Sequence, residues 1–405
     1  MDLSLNFNTA NPLPPTNQVS AANLYGTTPG TPPYGYTYPT VNPLGFDSRG
    51  GVIQAYAPDG SAILYPSSIS GDDPHLGPKR AALYTLGFER ELTHDIVVGA
   101  TYSGSKAWDQ WYNGDFNTFP GDLIVNNGTQ MRLTNEWGSI GYLRNGMSCN
   151  YNALILIIRR RQGRLNWQAS YTWSRNLDDP IEDSINGQLM NPYTPHANYG
   201  PSNQDAPQRL SFMATYLTPG FGSGGLSRFV GQNVLGGWQL SAIGMAQSGT
   251  PFSVYTDAAW NPAATNPSGG GDFLANGINY SYPDVAPGTK TKGFTHAQYE
   301  AGIFGYSNFT IPSGYGVRPV YGNEGRNIFR NPAYCAIDTS LHKRITLPWF
   351  ADKKSTLMLG AEATNFFNHA NFMGVNNDIN NDSFFGQVNS AYQARIVQLV
   401  ARFEF

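Results

Sequence analysis

The chain has 405 residues, 40% hydrophobic and 13% aromatic but only 13% charged, about half the usual charged share. A net charge of -3 excludes the electrostatic footprint of a nucleic-acid binder. The mean hydropathy is -0.36 and the longest aliphatic run is Ala153–Ile158, which together exclude a spanning helix of about 18 apolar residues.

At the start, Met1–Leu5 lacks the basic start, apolar core and cleavage site of a signal peptide. Asp2–Asn8 reads as a weak strand. Val52–Tyr56 and Ala62–Tyr65, around Pro58-Asp59-Gly60, read as a hairpin within a long loop. Helical periodicity is nearly missing beyond this point, and alternation with period two takes over. In Leu165-Asn-Trp167-Gln-Ala169-Ser-Tyr171-Thr-Trp173-Ser the apolar residues occupy the odd positions and the polar ones the even positions. Such alternation predicts nine strands, at 81–90, 95–106, 150–162, 165–176, 207–218, 237–248, 336–347, 355–366 and 393–405.

The connections are as informative as the strands. Short ones (91–94, 162–164, 219–236 and 348–354) alternate with long ones (107–149, 177–206, 249–335 and 367–392). All the long ones therefore leave the same edge of an antiparallel sheet, whereas soluble domains seldom carry loops over about 15 residues. Short periplasmic turns and long outer loops characterise outer-membrane barrels. Most strands match the roughly 9–11 residues that cross a bilayer at a tilt. Lipid leaves no backbone group unpaired, so such strands require a closed barrel. The expected class is all-β: an antiparallel transmembrane β-barrel of outer-membrane type with long extracellular loops.

Other signals are weaker. Cys149 and Cys335 each begin a strand at the outer rim, four strands apart, so they are expected to stay unpaired. Gly220-Phe-Gly222-Ser-Gly224-Gly225 fits G-x-G-x-x-G, but no helix follows, and a periplasmic turn explains it better than a dinucleotide site. Asn376 to Asp382 offers oxygen ligands for Ca²⁺, yet a polar outer loop is the simpler reading. Arg159-Arg160-Arg161 suits a snorkelling cluster at the membrane boundary, and His369 has no second metal ligand at a useful spacing. No catalytic motif is found, so neither enzyme activity nor a cofactor is expected.

Several segments resemble TonB-dependent outer-membrane receptors, most nearly the Oar-like subgroup with a carboxypeptidase-regulatory-like domain. They are Leu235-Gly-Gly-Trp238-Gln-Leu-Ser-Ala-Ile-Gly with Gln247-Ser-Gly-Thr-Pro251-Phe252, and Arg326-Asn-Ile-Phe-Arg-Asn-Pro332 through Lys343. The most specific is Ala361-Glu-Ala-Thr-Asn365-Phe-Phe-Asn-His369-Ala-Asn-Phe372, and Phe385-Gly-Gln-Val388 through Phe405 completes the set. Barrels of that family have about 22 strands and a plug. The resemblance therefore implies that residues 1–405 are the C-terminal part of a larger barrel, about nine or ten strands of it. Residues 1–80 would supply a weak strand and an extracellular loop, and residues 81–405 the nine barrel strands.

The resemblance also implies partners: membrane lipid, the TonB complex through a plug outside this sequence, and the barrel-assembly machinery. Gln398, Val400, Phe403 and Phe405 fit the terminal assembly signal, with Val400 where glycine is commoner. Energised uptake of an unidentified bulky nutrient is the implied function. Candidate capture residues are Trp108, Trp111, Tyr112, Trp137 and Tyr142 in one loop and Tyr193, Tyr199 and Trp260 in others. An equal alternative is that these rings pack the loops together. The competing function is a structural or adhesive surface barrel, with a soluble β-rich carbohydrate enzyme a distant third.

Overall fold

The computed structural model describes residues 4–5, 68–93, 95–125, 127–128, 131–133, 138–181, 189–222, 224, 227, 230–347, 355–381 and 383–404. Two short strands come first, β1 (Ser4–Leu5) and β2 (Ile69–Asp72). β3 (Arg80–Thr93), β4 (Ile96–Asp115), β5 (Ile140–Arg160) and β6 (Leu165–Asp178) follow. After β7 (Gly200–Pro201) come β8 (Gln208–Leu217) and β9 (Trp238–Gln247). Four two-residue strands, β10 (Pro251–Phe252), β11 (Asp284–Val285), β12 (Phe309–Thr310) and β13 (Phe329–Arg330), lie within the longest connection. The chain ends with β14 (Tyr334–Leu347), β15 (Ser355–Thr364) and β16 (Ile396–Glu404).

All nine expected strands are present, joined in chain order as an antiparallel meander β3-β4-β5-β6-β8-β9-β14-β15-β16. β3 pairs only with β4 and β16 only with β15, so among the described residues the sheet is open. These strands do not close into a barrel among themselves.

Register turns the sequence alternation into two unlike faces. One row runs Leu165, Tyr216, Leu240, Leu341, Ala361, Leu399 across six strands. Shifting by one residue gives Asn166, Thr215, Ser241, Ser340, Glu362, Gln398 on the other face. Because side chains alternate, a one-residue slip would exchange the faces completely. A second apolar row joins Phe88, Ala100, Leu156, Tyr171 and Leu210. Its members and their neighbours are open to the surroundings, with Trp173 62% and Leu399 87% exposed. A surface of this extent suits lipid rather than water.

Small residues let large ones cover this face. The rings of Tyr84 and Phe212 lie directly over Gly104 and Gly244 of the neighbouring strands, where any Cβ would overlap them. At the short-turn end Lys343 projects on the apolar face, bends to the carbonyls of Val234 and Gly236, and lies 5.4 Å from the Trp238 ring centroid. The stem is thus buried and the ammonium group satisfied.

The packed core lies in the long connections, not in the sheet. Phe252, Val254, Phe304, Phe309, Phe329, Ile379 and Phe385 form one cluster drawn from residues 249–335 and 367–392. Tyr299, on the short helix His296–Ala301, joins it and donates to the Arg330 carbonyl at 2.7 Å. These connections therefore form a folded layer at one rim.

The sequence reading needs several corrections. The expected loop 107–149 is shorter, because β4 continues to Asp115 and β5 begins at Ile140. Register shifts between Ala107 and Trp111, with Asp109 at φ 55°, break the alternation that marks the spanning part. Cys149 accordingly lies inside β5, not at its start; Cys335 is near the start of β14, and both thiols are free. β2 was not expected: it pairs parallel with Ile140–Leu143, and β1, inside the expected Asp2–Asn8, adds to its other edge. The final strand begins at Ile396 instead of 393. The expected hairpin between Val52 and Tyr65 and the turn 348–354 lie outside the described residues.

A candidate ligand-capture rim

The rim carrying the long connections gathers most of the candidate aromatics, but on different supports. Trp108, Trp111 and Tyr112 are on β4 and Tyr142 is on β5, so these four stand on sheet, not loop. Trp111 donates from Nε1 to the Gly77 carbonyl at 2.9 Å, with Lys79 Nζ 4.6 Å from its ring centroid. Tyr112 is buried with Met147 and Leu189, and its hydroxyl donates to the Pro192 carbonyl at 3.3 Å. Phe116, which no sequence signal singled out, is the hub: Tyr112, Tyr142 and Tyr193 all contact its ring. Tyr193 and Tyr199 remain exposed. Trp260 packs near Gly128, with its indole N–H buried and without a partner among the described residues. Trp137 lies outside the described residues.

Charged groups tie the layer to the strand ends. Arg326 pairs with Asp178 at 2.6 Å, and Arg330 with Asp205 at 2.6 Å. Asp179, fully buried, accepts from Ser148 N at 2.7 Å and meets His196 Nδ1 at 2.9 Å. The two arginines lie in the segment that carries the family resemblance, although their partners could not be read from it.

Among the buried carboxyl groups that the sequence reading missed, two are raised by burial. Glu324 accepts from Val254 N at 2.6 Å while its other oxygen has no partner among the described residues, and burial raises its carboxyl well above the usual range. Asp272 accepts from Asn276 N and Gly277 N, and burial raises it to about 6 despite these bonds. Isolated acids in loops carry no sequence pattern that reveals such burial.

On the polar face, His342 Nε2 meets Glu362 at 3.1 Å, and Gln398 Nε2 donates to the same carboxylate at 2.6 Å. A groove of about 410 Å³, lined by Ser241, Asp338, Ser340, Glu362 and Gln398, runs there. Among the assembly-signal residues, Gln398 pairs with Glu362 and Val400 with Gly360 on the polar face. Phe403 pairs with Leu357 on the apolar face, and Phe405 lies outside the described residues.

No group of three or more His, Cys, Asp or Glu among the described residues is arranged to hold a metal ion. The Asn376–Asn381 oxygens are engaged locally: Asn376 accepts from Asp378 N, Asp378 from Asn380 N, and Asn380 from Thr256 and Asp257. Asp382 lies outside the described residues. His369 Nδ1 meets Asn371 Oδ1 at 3.1 Å, and its backbone N–H donates to Asn365 at the exit of β15. Arg159 pairs with Glu89 and Arg160 with Asp95.

A family model described as outer membrane beta barrel domain matches residues 2–398. No curated protein matches the chain. Among solved structures it is similar to the outer membrane transporter YddB from Escherichia coli, at 11% identity and a TM-score of 0.45. That match covers 85% of this chain and 35% of that one. It is also similar to the FrpB iron transporter from Neisseria meningitidis (F3-3 variant), at 11% identity and a TM-score of 0.39, over 82% and 32%. The chain spans about a third of the length of either.

Proposed function

The chain belongs to the outer membrane beta barrel domain family, and from that premise we propose that it forms the C-terminal part of a TonB-dependent receptor barrel, Oar-like in type, for energised uptake of a bulky nutrient. Its location is the outer membrane, as a β-barrel protein. The observation that carries the reading is the open nine-strand sheet with one apolar and one polar face and the described parts of the long connections packed together at one rim. An open sheet leaves β3 and β16 with unpaired edges, which lipid does not tolerate. Further strands must therefore close it, and with them would come the plug that engages TonB.

In this reading the layer receives the ligand and the polar groove beside Asp338, Glu362 and Gln398 lines its way inward. Tyr199 is a candidate aromatic left open for capture, since Trp111 and Tyr112 are spent on packing and Tyr193, although exposed, is held by its hydroxyl on the Phe116 carbonyl. The terminal strand is the part presented to the assembly machinery. That same packing favours a second reading, a structural or adhesive surface barrel, because rings committed to a core are not free to grip a solute.

Compound depletion from culture medium tests the proposal. A nutrient whose removal requires both this gene and a functional TonB system supports uptake. Unchanged depletion with altered surface attachment selects the adhesive reading.

A further inference from the structure

A cavity of about 750 Å³ opens on the apolar face at the rim of the long connections. Its floor includes Tyr102, Leu154 and Trp173, which occupy one register row at the top of that face. One row higher, Asn152 accepts from the Tyr102 hydroxyl at 2.6 Å and from the Tyr84 hydroxyl at 3.2 Å. Tyr102 thus points its polar end away from the apolar belt, as interfacial aromatics do, while Tyr84, in the same row as Asn152, reaches along that row.

The upper wall is cationic. Arg175, opposite Asn152 in register, and Lys292, from the layer above, line the cavity; both are exposed. No salt bridge engages either among the described residues, whereas Arg330 beside them is matched by Asp205. The cavity therefore combines an apolar floor continuous with the lipid-facing surface and two unmatched cations at its head. Such a gradient fits an anionic amphiphile lying along the strands: the chain takes the floor, and the phosphate takes the guanidinium and ammonium groups.

We propose that this cavity holds a net-anionic lipid of the outer leaflet, whose phosphate charge no choline offsets, with its acyl part on Leu154 and Trp173 and its phosphate between Arg175 and Lys292. This rests on the long connections facing outward, and it is independent of any transported nutrient or of TonB.

Native mass spectrometry of the full chain extracted from outer membranes, titrated with lipid A, phosphatidylcholine or inorganic phosphate, tests it. Lipid A adducts should form where phosphatidylcholine gives none. Arg175→Glu with Lys292→Glu should weaken them about tenfold or more, at roughly 1 kcal/mol per cation. Arg318→Glu, exposed in the layer but outside the cavity, should not. Equal retention of phosphatidylcholine, undiminished adducts in the double variant, or inorganic phosphate binding as tightly as lipid A would each overturn the assignment. Outer-membrane level and heat-modifiable gel mobility confirm that the variants fold. Nutrient depletion measured on the same strains keeps this result separate from the uptake reading.

Discussion

Arg326 Nη1 lies 2.6 Å from Asp178 Oδ1, also donates to the Asp178 carbonyl, and has a side chain only 1% exposed. The pair fastens the 249–335 connection to the upper end of β6 and gives the outer layer a fixed seat. Removing one member of a buried pair strands the other, at about 3–5 kcal/mol. Arg326→Ala should expose this connection to limited proteolysis at protease levels that leave the wild type intact. Arg326→Lys should rescue only part of the protection, because an ammonium group at the Asp178 oxygens lacks the second arm, Nη2, that donates to Asn203 Oδ1 at 3.3 Å. Equal protection in all three proteins would remove the pair from this role.

Stability of the layer should fall as pH rises. Asp272 and Glu324 both have carboxyl groups raised by burial, Asp272 to about 6. Their folded forms hold protons that the unfolded chain has released, so their contribution is full below about pH 4 and is lost as pH rises through the folded values. For Asp272 the loss between about pH 4 and about pH 6 is on the order of 3 kcal/mol. Glu324→Gln keeps an acceptor for Val254 N and mimics the protonated acid. The variant should gain melting temperature relative to wild type at pH 8 and little at pH 4. A constant difference across that range, by scanning calorimetry, would contradict the assignment.

The spanning strands were legible because their physics is local. In β6 each apolar residue alternates with a polar one, and the face it predicts is the face observed. The extensions of β4 and β5 were not legible, since the Asp109 irregularity and Gly146 at φ 146° interrupt the period. The outer layer was hidden for another reason. Phe252, Phe304, Phe309, Phe329 and Phe385 share no spacing, and only tertiary contact brings them together. Trp111 and Tyr112 were marked as capture residues by type alone, and sequence could not show that Gly77 and Pro192 engage them.

Cys149 and Cys335 should remain reduced within one chain. β5 and β14 are separated by β6, β8 and β9. At about 4.8 Å per strand the lateral distance is roughly 19 Å, against about 7 Å for a disulfide. Non-reducing gels of oxidised protein should show no intramolecular shift; a shift that Cys149→Ser abolishes would contradict the strand order.

Replacing Phe405 by Ser should lower the amount of protein in the outer membrane without changing its synthesis. Phe403, two residues earlier, faces the apolar side against Leu357, and aromatics at this level act as interfacial anchors. Loss of one terminal ring costs little folding energy, so a large drop in membrane fractionation identifies failed recognition by the assembly machinery. Wild-type levels would remove the terminal-signal reading.

The account stands on long connections outside and short turns inside, and single-cysteine labelling reads this directly. In a background without Cys149 and Cys335, a membrane-impermeant maleimide on intact cells should label Gly269→Cys, at an exposed site in the 249–335 layer. It should leave Gln162→Cys, in the exposed turn between β5 and β6, unlabelled until the outer membrane is opened. Labelling of Gln162→Cys on intact cells while Gly269→Cys stays protected would contradict the account.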